Sequence, residues 1–530
     1  MAKVQQKFFK TAGGISFDQG ISLSTNCQRV FVAGSVGGVT AADFCGHVFN
    51  TINANEFDTS DAVIAGLDRN GCQKFFKIAG RPNSVALSSN VISNCENVFV
   101  AGIIAGPTAI NFAGNEITVN SSDEGFFMAK LDNCGHQNFF ITAGTTPPVQ
   151  VSAPKITKNS QRLFITATLG GAEATDFNGT IHPLQDDPSV SVAGLDYRGH
   201  QKFFVTAGGE PRAITSDECH VVVTGFVNGP TATDFAGNII STYGNADIFV
   251  AGLSNCGTQK FYKHAGAPNI LTEGGSIGNS IHTSCGDIFI TGSLFSENGT
   301  AINFNGDIVA TYGDHDIFVA KLNSCGDQKF FKVAGGLNSD RGNSLISNEH
   351  GVFITGVIAG PTATDFNGRE ITKLYGSSDI FVAGLSRGGK QKFFKTAGSI
   401  GNDNGLNITA NDQGIFVTGF IFGATATDFN GCPVKHLYGG SDIFVAKLDF
   451  CGHQEFFLTA GSVFFEQGNK IEVRDNEIYV TGTISGVTGS DFCNHSVKHL
   501  QGQGDIFVAR LDDLCAKFRS KFSSMPYVPR

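Results

Sequence analysis

The sequence predicts an all-β fold, a closed eight-bladed β-propeller of four-stranded antiparallel blades, and three observations predict it. One phrase, Gln-Lys-Phe-Phe-Lys-Thr-Ala-Gly with small variations, returns eight times, beginning at Gln6, Gln73, Gln137, Gln201, Gln259, Gln328, Gln391 and Gln454. Each period holds runs of β-branched and aromatic residues separated by Gly, Asn and Asp, the pattern of about four strands joined by turns. Runs such as Asp316-Ile317-Phe318-Val319-Ala320-Lys321-Leu322 are largely apolar on both alternating faces, as expected of a strand covered on each side by a neighbouring sheet.

The period runs from 58 to 69 residues, too long for one coil of a typical β-solenoid and suited to a four-stranded blade with a generous loop. Three further phrases follow the first in fixed order: a segment like Gly351-Val352-Phe353-Ile354-Thr355-Gly356, a loop like Thr362-Ala363-Thr364-Asp365-Phe366-Asn367-Gly368, and a segment like Asp379-Ile380-Phe381-Val382-Ala383-Gly384-Leu385. With strands lettered A to D outward from the axis, the chain opens on a D-type strand at Gln6 to Gly13. Its last repeat ends on a C-type strand, Asp505 to Leu511. The ring is therefore expected to close by the N-terminal strand joining the last blade, whose other strands lie between about residues 467 and 512. Closure of that kind removes two sheet edges that would otherwise invite aggregation. The segment Ala516-Lys517-Phe518-Arg519-Ser520-Lys521-Phe522 partly echoes the repeated phrase and competes for the same place; were it to fill the blade, the N-terminal strand would be free to pair with another molecule. The expected division is a propeller over 1–514 and a tail over 515–530.

These phrases resemble the SBBP repeat, the "seven-bladed beta-propeller" repeat family. The Asp-Ile-Phe-Val-Ala-Lys-Leu phrase, the Gly342-Asn343-Ser344-Leu345 strand start and Thr-Asp-Phe in the long loop carry the likeness, which spans residues 5 to 513. The chain departs from the family name in having eight copies. The resemblance implies a propeller and supplies no catalytic residues. Because such repeats occur in secreted microbial proteins and in large DNA viruses of amoebae, it also permits a large-DNA-virus structural protein.

A net charge of −10, from 37 Lys and Arg against 47 Asp and Glu, argues against nucleic-acid binding, which needs clustered cations. With 41% hydrophobic and 16% charged residues, the chain can bury a large core and is not disordered. No run approaches the roughly 18 apolar residues of a membrane span. The N-terminus, Met1 to Lys10, shows no apolar signal region, so an extracellular or virion-associated location would be reached without a classical signal peptide.

The 13 cysteines are an odd number, so they cannot all pair internally. In four blades one Cys stands near the A–B turn and another near the C–D turn: Cys27 with Cys72, Cys95 with Cys134, Cys219 with Cys256, and Cys285 with Cys325. The blades over 151–208 and 338–398 have Cys at neither place. Matched presence and absence predict four intra-blade disulfides, each closing about 40 residues and contributing roughly 3–4 kcal/mol in the chain-entropy picture. Cytosolic thiols recurring with the repeat are the plainer alternative. Cys45, Cys432, Cys451, Cys493 and Cys515 have no such partner and are expected to be free or intermolecular thiols.

Repeated polar residues make poor catalytic candidates, since an active site is needed once. Asp176, Asp234, Asp365, Asp428 and Asp491, in the Thr-Asp-Phe or Ser-Asp-Phe loops, are expected to bond their own loop backbone. Calcium at Asp365 with Asn367 is the sharper reading, but the loop lacks clustered carboxylates. His436, His495 and His499 fall near Cys432 and Cys493, where a surface metal patch competes with the simpler reading of solvated loop histidines. The Phe-Phe pairs are expected to pack blade against blade rather than to stack ligands. No catalytic, metal or cofactor residues are assigned. The expected function is a non-enzymatic, self-assembling structural scaffold, a fibre, tube or virion-surface component that forms homo-oligomers or polymers. The alternative is a lectin-like or other ligand-binding propeller with a surface or glycan partner, and an enzyme ranks third.

Overall fold

The computed structural model describes residues 4–52, 59–121, 124–145, 151–268, 275–498 and 500–514. All elements over these residues are strands, and the main ones form eight antiparallel four-stranded sheets. Blade 6 shows the plan: strand A Arg341–Asn348, strand B Gly351–Ala359, strand C Ser378–Leu385 and strand D Gln391–Ser399. The eight-bladed propeller expected from the repeats is the fold of the chain.

The doubly apolar strands divide their faces between two neighbours. In strand C of blade 5 (His315–Asn323), Ile317 and Val319 pack with Leu345, Val352 and Ile354 of blade 6. The intervening Phe318 and Ala320 point the other way, onto Val222, Ile248 and Val250 of blade 4. A period-two pattern with both phases apolar therefore requires a sheet on each side, and a closed ring supplies it for every blade.

The Phe-Phe pair works in the same divided manner. Phe331 stacks on Phe318 with ring centres 5.4 Å apart. Phe330 packs toward blade 6, beneath Gly389, whose φ of 84° and lack of a Cβ leave room for the ring. These pairs are packing elements, as expected.

The long B–C connection is itself a short hairpin in several blades, as in Thr40–Ala42 with Val48–Asn50. Its first limb pairs with the end of strand D in the preceding blade, through Gly13↔Ala42, Gly144↔Thr175, Gly335↔Thr364 and Gly398↔Thr427. At the axis, a Ser or Asn on strand A accepts the backbone N–H of the next blade's strand A. Ser280 Oγ takes Leu345 N at 3.1 Å, Ser344 Oγ takes Ile408 N at 3.3 Å and Asn407 Oδ1 takes Ile471 N at 3.2 Å. Inner and outer stitches thus join the same sheets.

Blade 8 joins the chain ends. Its strands A to C are Gln467–Arg474, Glu477–Gly486 and Gly502–Asp513, and its strand D is Val4–Gly14, paired antiparallel from Val4↔Asp513 to Ala12↔Ile506. Ion pairs secure this blade on both flanks: Lys447 of blade 7 reaches Asp513 at 2.5 Å, and Arg69 of blade 1 reaches Glu477 at 2.7 Å. The N-terminal strand occupies the place for which the tail was a competitor; residues 515–530 lie outside the described residues.

Candidate interaction surface

The two faces of the disc are built from different connections. One carries the A–B and C–D turns, and the other carries the D–A loops and B–C hairpins. On the second face, four consecutive blade junctions share one loop design: Gly14 to Asp18, Gly336 to Asp340, Ser399 to Asp403 and Ser462 to Glu466. In each, the acid at the fifth position folds back onto the first. Asp340 Oδ2 accepts Gly336 N and its Oδ1 accepts Ala359 N, both at 2.6 Å. Asp18 does the same with Gly14 and Gly37, Asp403 with Ser399 and Phe422, and Glu466 Oε2 accepts Ser462 N at 3.0 Å.

A short loop held at both ends must turn its middle outward. The second residue is a large aliphatic side chain left in solvent: Ile15 at 57% exposure, Leu337 at 70%, Ile400 at 79% and Val463 at 66%. Phe17, Phe464 and Phe465 stand exposed beside them. A groove of ≈ 450 Å³ at the blade 1 end of this arc is lined by Ile15, Phe17, Val85 and Leu87. Single exposed apolar residues are ordinary, but an arc repeated with the pitch of the ring is the feature expected of a contact surface.

Beneath each loop lies a buried pair of acids. The Asp that opens strand C meets the loop acid of the next blade: Asp316 with Asp340, Asp379 with Asp403, Asp442 with Glu466, and Asp505 with Asp18. Both carboxyls of a pair converge beside the Gly that ends the repeated Ala-Gly phrase. A Cβ at Gly335 would lie 2.0 Å from Asp316 Oδ1 and 2.7 Å from Asp340 Oδ2. Burial pushes Asp18 and Asp340 up to about 8, Asp379, Asp442 and Asp505 up to about 7, and Asp316 and Asp403 up to about 6, and it raises Glu466.

The two acids of a pair differ in their hydrogen bonds. Both oxygens of Asp340 accept backbone N–H groups, whereas Asp316 Oδ1 has no partner among the described residues. Asp379, Asp442 and Asp505 leave the same oxygen unpartnered. A proton on either acid removes the like-charge repulsion between the two carboxyls, so each junction titrates as a pair. These acids are committed to structure. At the blade 4–5 junction, Asp247 faces His264 Nδ1 at 3.0 Å instead.

The B–C loop aspartates behave as expected. Asp365 Oδ1 accepts the N–H of Asn367 and of Arg369, and its Oδ2 accepts Gln391 Nε2 at 2.8 Å. Asp176, Asp234, Asp428 and Asp491 repeat the arrangement. The same bond explains the Gln that opens the repeated phrase, a role the sequence reading missed. Cys432, His436 and Cys493 line one groove between blades 7 and 8, whereas His495 turns back onto Asp491 and His499 lies outside the described residues.

The cysteines depart from expectation. All twelve described cysteines are free, so Cys27, Cys72, Cys95, Cys134, Cys219, Cys256, Cys285 and Cys325 form no disulfides; Cys45, Cys432, Cys451 and Cys493 are also free. Cys515 lies outside the described residues. The register Arg29↔Asp68 explains the first pair. It leaves Cys27 at the tip of the A–B turn and Cys72 on the far limb of the C–D turn, with the end of strand C between them. Cys27 faces the neighbouring blade instead, with its Sγ 3.8 Å from the carbonyl of Cys95.

The exposed aliphatic position was also legible. The strings Gly14-Ile15-Ser16-Phe17-Asp18, Gly336-Leu337-Asn338-Ser339-Asp340, Ser399-Ile400-Gly401-Asn402-Asp403 and Ser462-Val463-Phe464-Phe465-Glu466 follow the repeated phrase four times. An apolar residue inside a turn-forming string is the signal that could have found them.

No protein-family model matches the chain, and no curated protein matches it. Among solved structures it is similar to Sqt1 from Chaetomium thermophilum, at 9% identity, covering 90% of this chain and 97% of that one with a TM-score of 0.46. Sqt1 bound to the N-terminus of the ribosomal protein L10 is similar at 10% identity over 89% and 96% of the two chains, with a TM-score of 0.44. The polysaccharide lyase Uly1 is similar at 10% identity over 80% and 89%, with a TM-score of 0.40. These likenesses concern the fold alone.

Proposed function

We propose that this propeller is a non-enzymatic structural scaffold that associates with copies of itself through the D–A loop face. The observation that carries the reading is the arc formed by Ile15, Leu337, Ile400 and Val463 at four consecutive junctions, each 57% to 79% exposed. A surface repeated at the pitch of the ring is suited to a second disc bearing the same surface, because an isologous contact matches a patch to itself. The acids beneath it support a structural role, since their oxygens hold the loop backbone rather than open onto a cavity. An extracellular or virion surface is the setting such a scaffold serves. The test is sedimentation velocity with negative-stain microscopy of the purified chain. Ordered oligomers that disperse when Leu337 and Ile400 are replaced by Ser support the reading; a monomer at all concentrations removes it.

A ligand-binding propeller is the second reading, favoured by one observation. Comparable grooves recur between the B–C hairpins of adjacent blades, of ≈ 300 Å³ beside His182 and Asp234, ≈ 440 Å³ beside His436 and Tyr438, and ≈ 270 Å³ beside Lys10 and Lys498. A glycan array on which binding tracks the number of intact grooves would favour it over self-assembly.

A further inference from the structure

Independently of any role in assembly, the B–C hairpin of blade 1 brings three metal-ligating side chains together. Asp43, Cys45 and His47 offer a carboxylate oxygen, a thiol sulfur and an imidazole nitrogen that all lie within 4.8 Å of one another. The i, i+2, i+4 spacing produces this through the turn. Asp43 Oδ1 accepts the N–H of Cys45 at 2.9 Å and of His47 at 3.0 Å, so the backbone folds around the carboxylate. Its second oxygen faces His47 Nδ1 at 3.3 Å. Gln73 Nε2 holds that same oxygen from behind at 2.7 Å, the supporting bond that metal-binding carboxylates commonly receive. Burial would raise the Asp43 carboxyl, but the bonds from Gln73, His47 and Cys45 prevail and hold it below the usual range, so it is a carboxylate at neutral pH.

The strings Asp132-Asn133-Cys134-Gly135-His136 and Asp449-Phe450-Cys451-Gly452-His453 hold the same three residue types, but among the described residues Asp43, Cys45 and His47 are the set whose carboxylate, sulfur and imidazole atoms all come within 4.8 Å of one another. In the same turn elsewhere the Asp and His groups stand 2.9 Å apart in Asp132 with His136 and Asp449 with His453, and 3.1 Å apart in Asp196 with His200. Nitrogen and oxygen ligands about 2.0–2.1 Å from a tetrahedral zinc stand roughly 3.3 Å apart, so the 3.3 Å hydrogen bond between His47 and Asp43 can open onto an ion with little movement. The adjoining blade 8 repeats the three residue types as Asp491, Cys493 and His495, with a carboxylate–imidazole separation of 3.5 Å. Cys45 and His47 are exposed, so an ion reaches them without rearrangement of the blade.

We propose that Asp43, Cys45 and His47 form a zinc site at the outer edge of the ring, with the fourth tetrahedral position open to water. Binding converts the Cys45 thiol to a thiolate and releases one proton to solvent, with no change of oxidation state. Oxygen, sulfur and nitrogen together suit zinc better than calcium or magnesium, which favour all-oxygen shells.

The test uses the full chain, reduced and stripped of metal, titrated with Co²⁺ and then with Zn²⁺. Wild type is expected to develop thiolate-to-cobalt and tetrahedral cobalt absorption that zinc removes. Cys45→Ser is expected to lose one tightly bound equivalent, and His47→Ala to weaken that equivalent at least about tenfold, the scale on which losing one protein ligand or its support is felt. Cys72→Ser, which removes a thiol from a C–D turn lacking the histidine, should leave the count unchanged. The site is overturned if either the Cys45 or the His47 variant keeps the wild-type stoichiometry and affinity.

Discussion

Gln6 Nε2 donates to Asp491 Oδ2 at 2.6 Å, joining residues 485 positions apart by the bond that Gln391 makes to Asp365 and Gln454 to Asp428 within continuous repeats. The N-terminal strand therefore completes blade 8 in backbone pairing and also in the side-chain contact that ties strand D to its B–C hairpin. Deletion of residues 1–13 should expose the outer edge of Gly502–Asp513 and turn the ring into an aggregating or strand-exchanged species. Size-exclusion chromatography and limited proteolysis report this, and a peptide spanning residues 4–14 added in excess should restore the compact form.

Stability should fall as pH rises from about 4 to about 8. The junction acids titrate above their ordinary range in the folded state, so between those limits the folded chain holds more protons than the unfolded one. The slope of unfolding free energy against pH is then negative, and the loss levels off once both acids of each pair are ionised. A loss of several kcal/mol per junction is expected, since each tenfold change in proton affinity is worth about 1.4 kcal/mol, read as a lower melting temperature at pH 8.5 than at pH 5.5. Asp316→Asn removes one of the two titrating groups and should flatten the slope, whereas Asp340→Asn replaces one of the two oxygens that accept backbone N–H bonds with an NH2 donor and should destabilise at every pH.

Gly398→Ala tests the packing that surrounds these pairs. Its Cβ would fall 1.9 Å from Asp379 Oδ1 and 2.9 Å from Asp403 Oδ2. Neither acid can withdraw without breaking its backbone bonds, so a cost of about 1–3 kcal/mol is expected. Chemical denaturation measures it, with the midpoint moving and the slope unchanged.

Leu337→Ser with Ile400→Ser should leave the circular dichroism spectrum and melting temperature within about 0.5 kcal/mol of wild type, because exposed substitutions remove few contacts. The same pair should shift any oligomer toward monomer in sedimentation velocity. An unchanged distribution would direct attention to the opposite face.

Much of this molecule is written along the chain. Strand type, blade number and the place of the seam follow from patterns within single periods: both phases apolar in Asp316 to Leu322, a Gln-led phrase in every copy, and a D-type start facing a C-type finish. Those properties are local, since a strand's faces and a blade's strand order are encoded in consecutive residues. What lies between blades was not legible in this way. Asp505 meets Asp18, Asp316 meets Asp340, and Cys27 approaches Cys95 rather than Cys72. The offset between adjacent sheets decides those contacts, and it is set by the packing of two apolar faces and the length of each D–A loop, so only the closed ring determines which acids meet and which side chains are left to solvent.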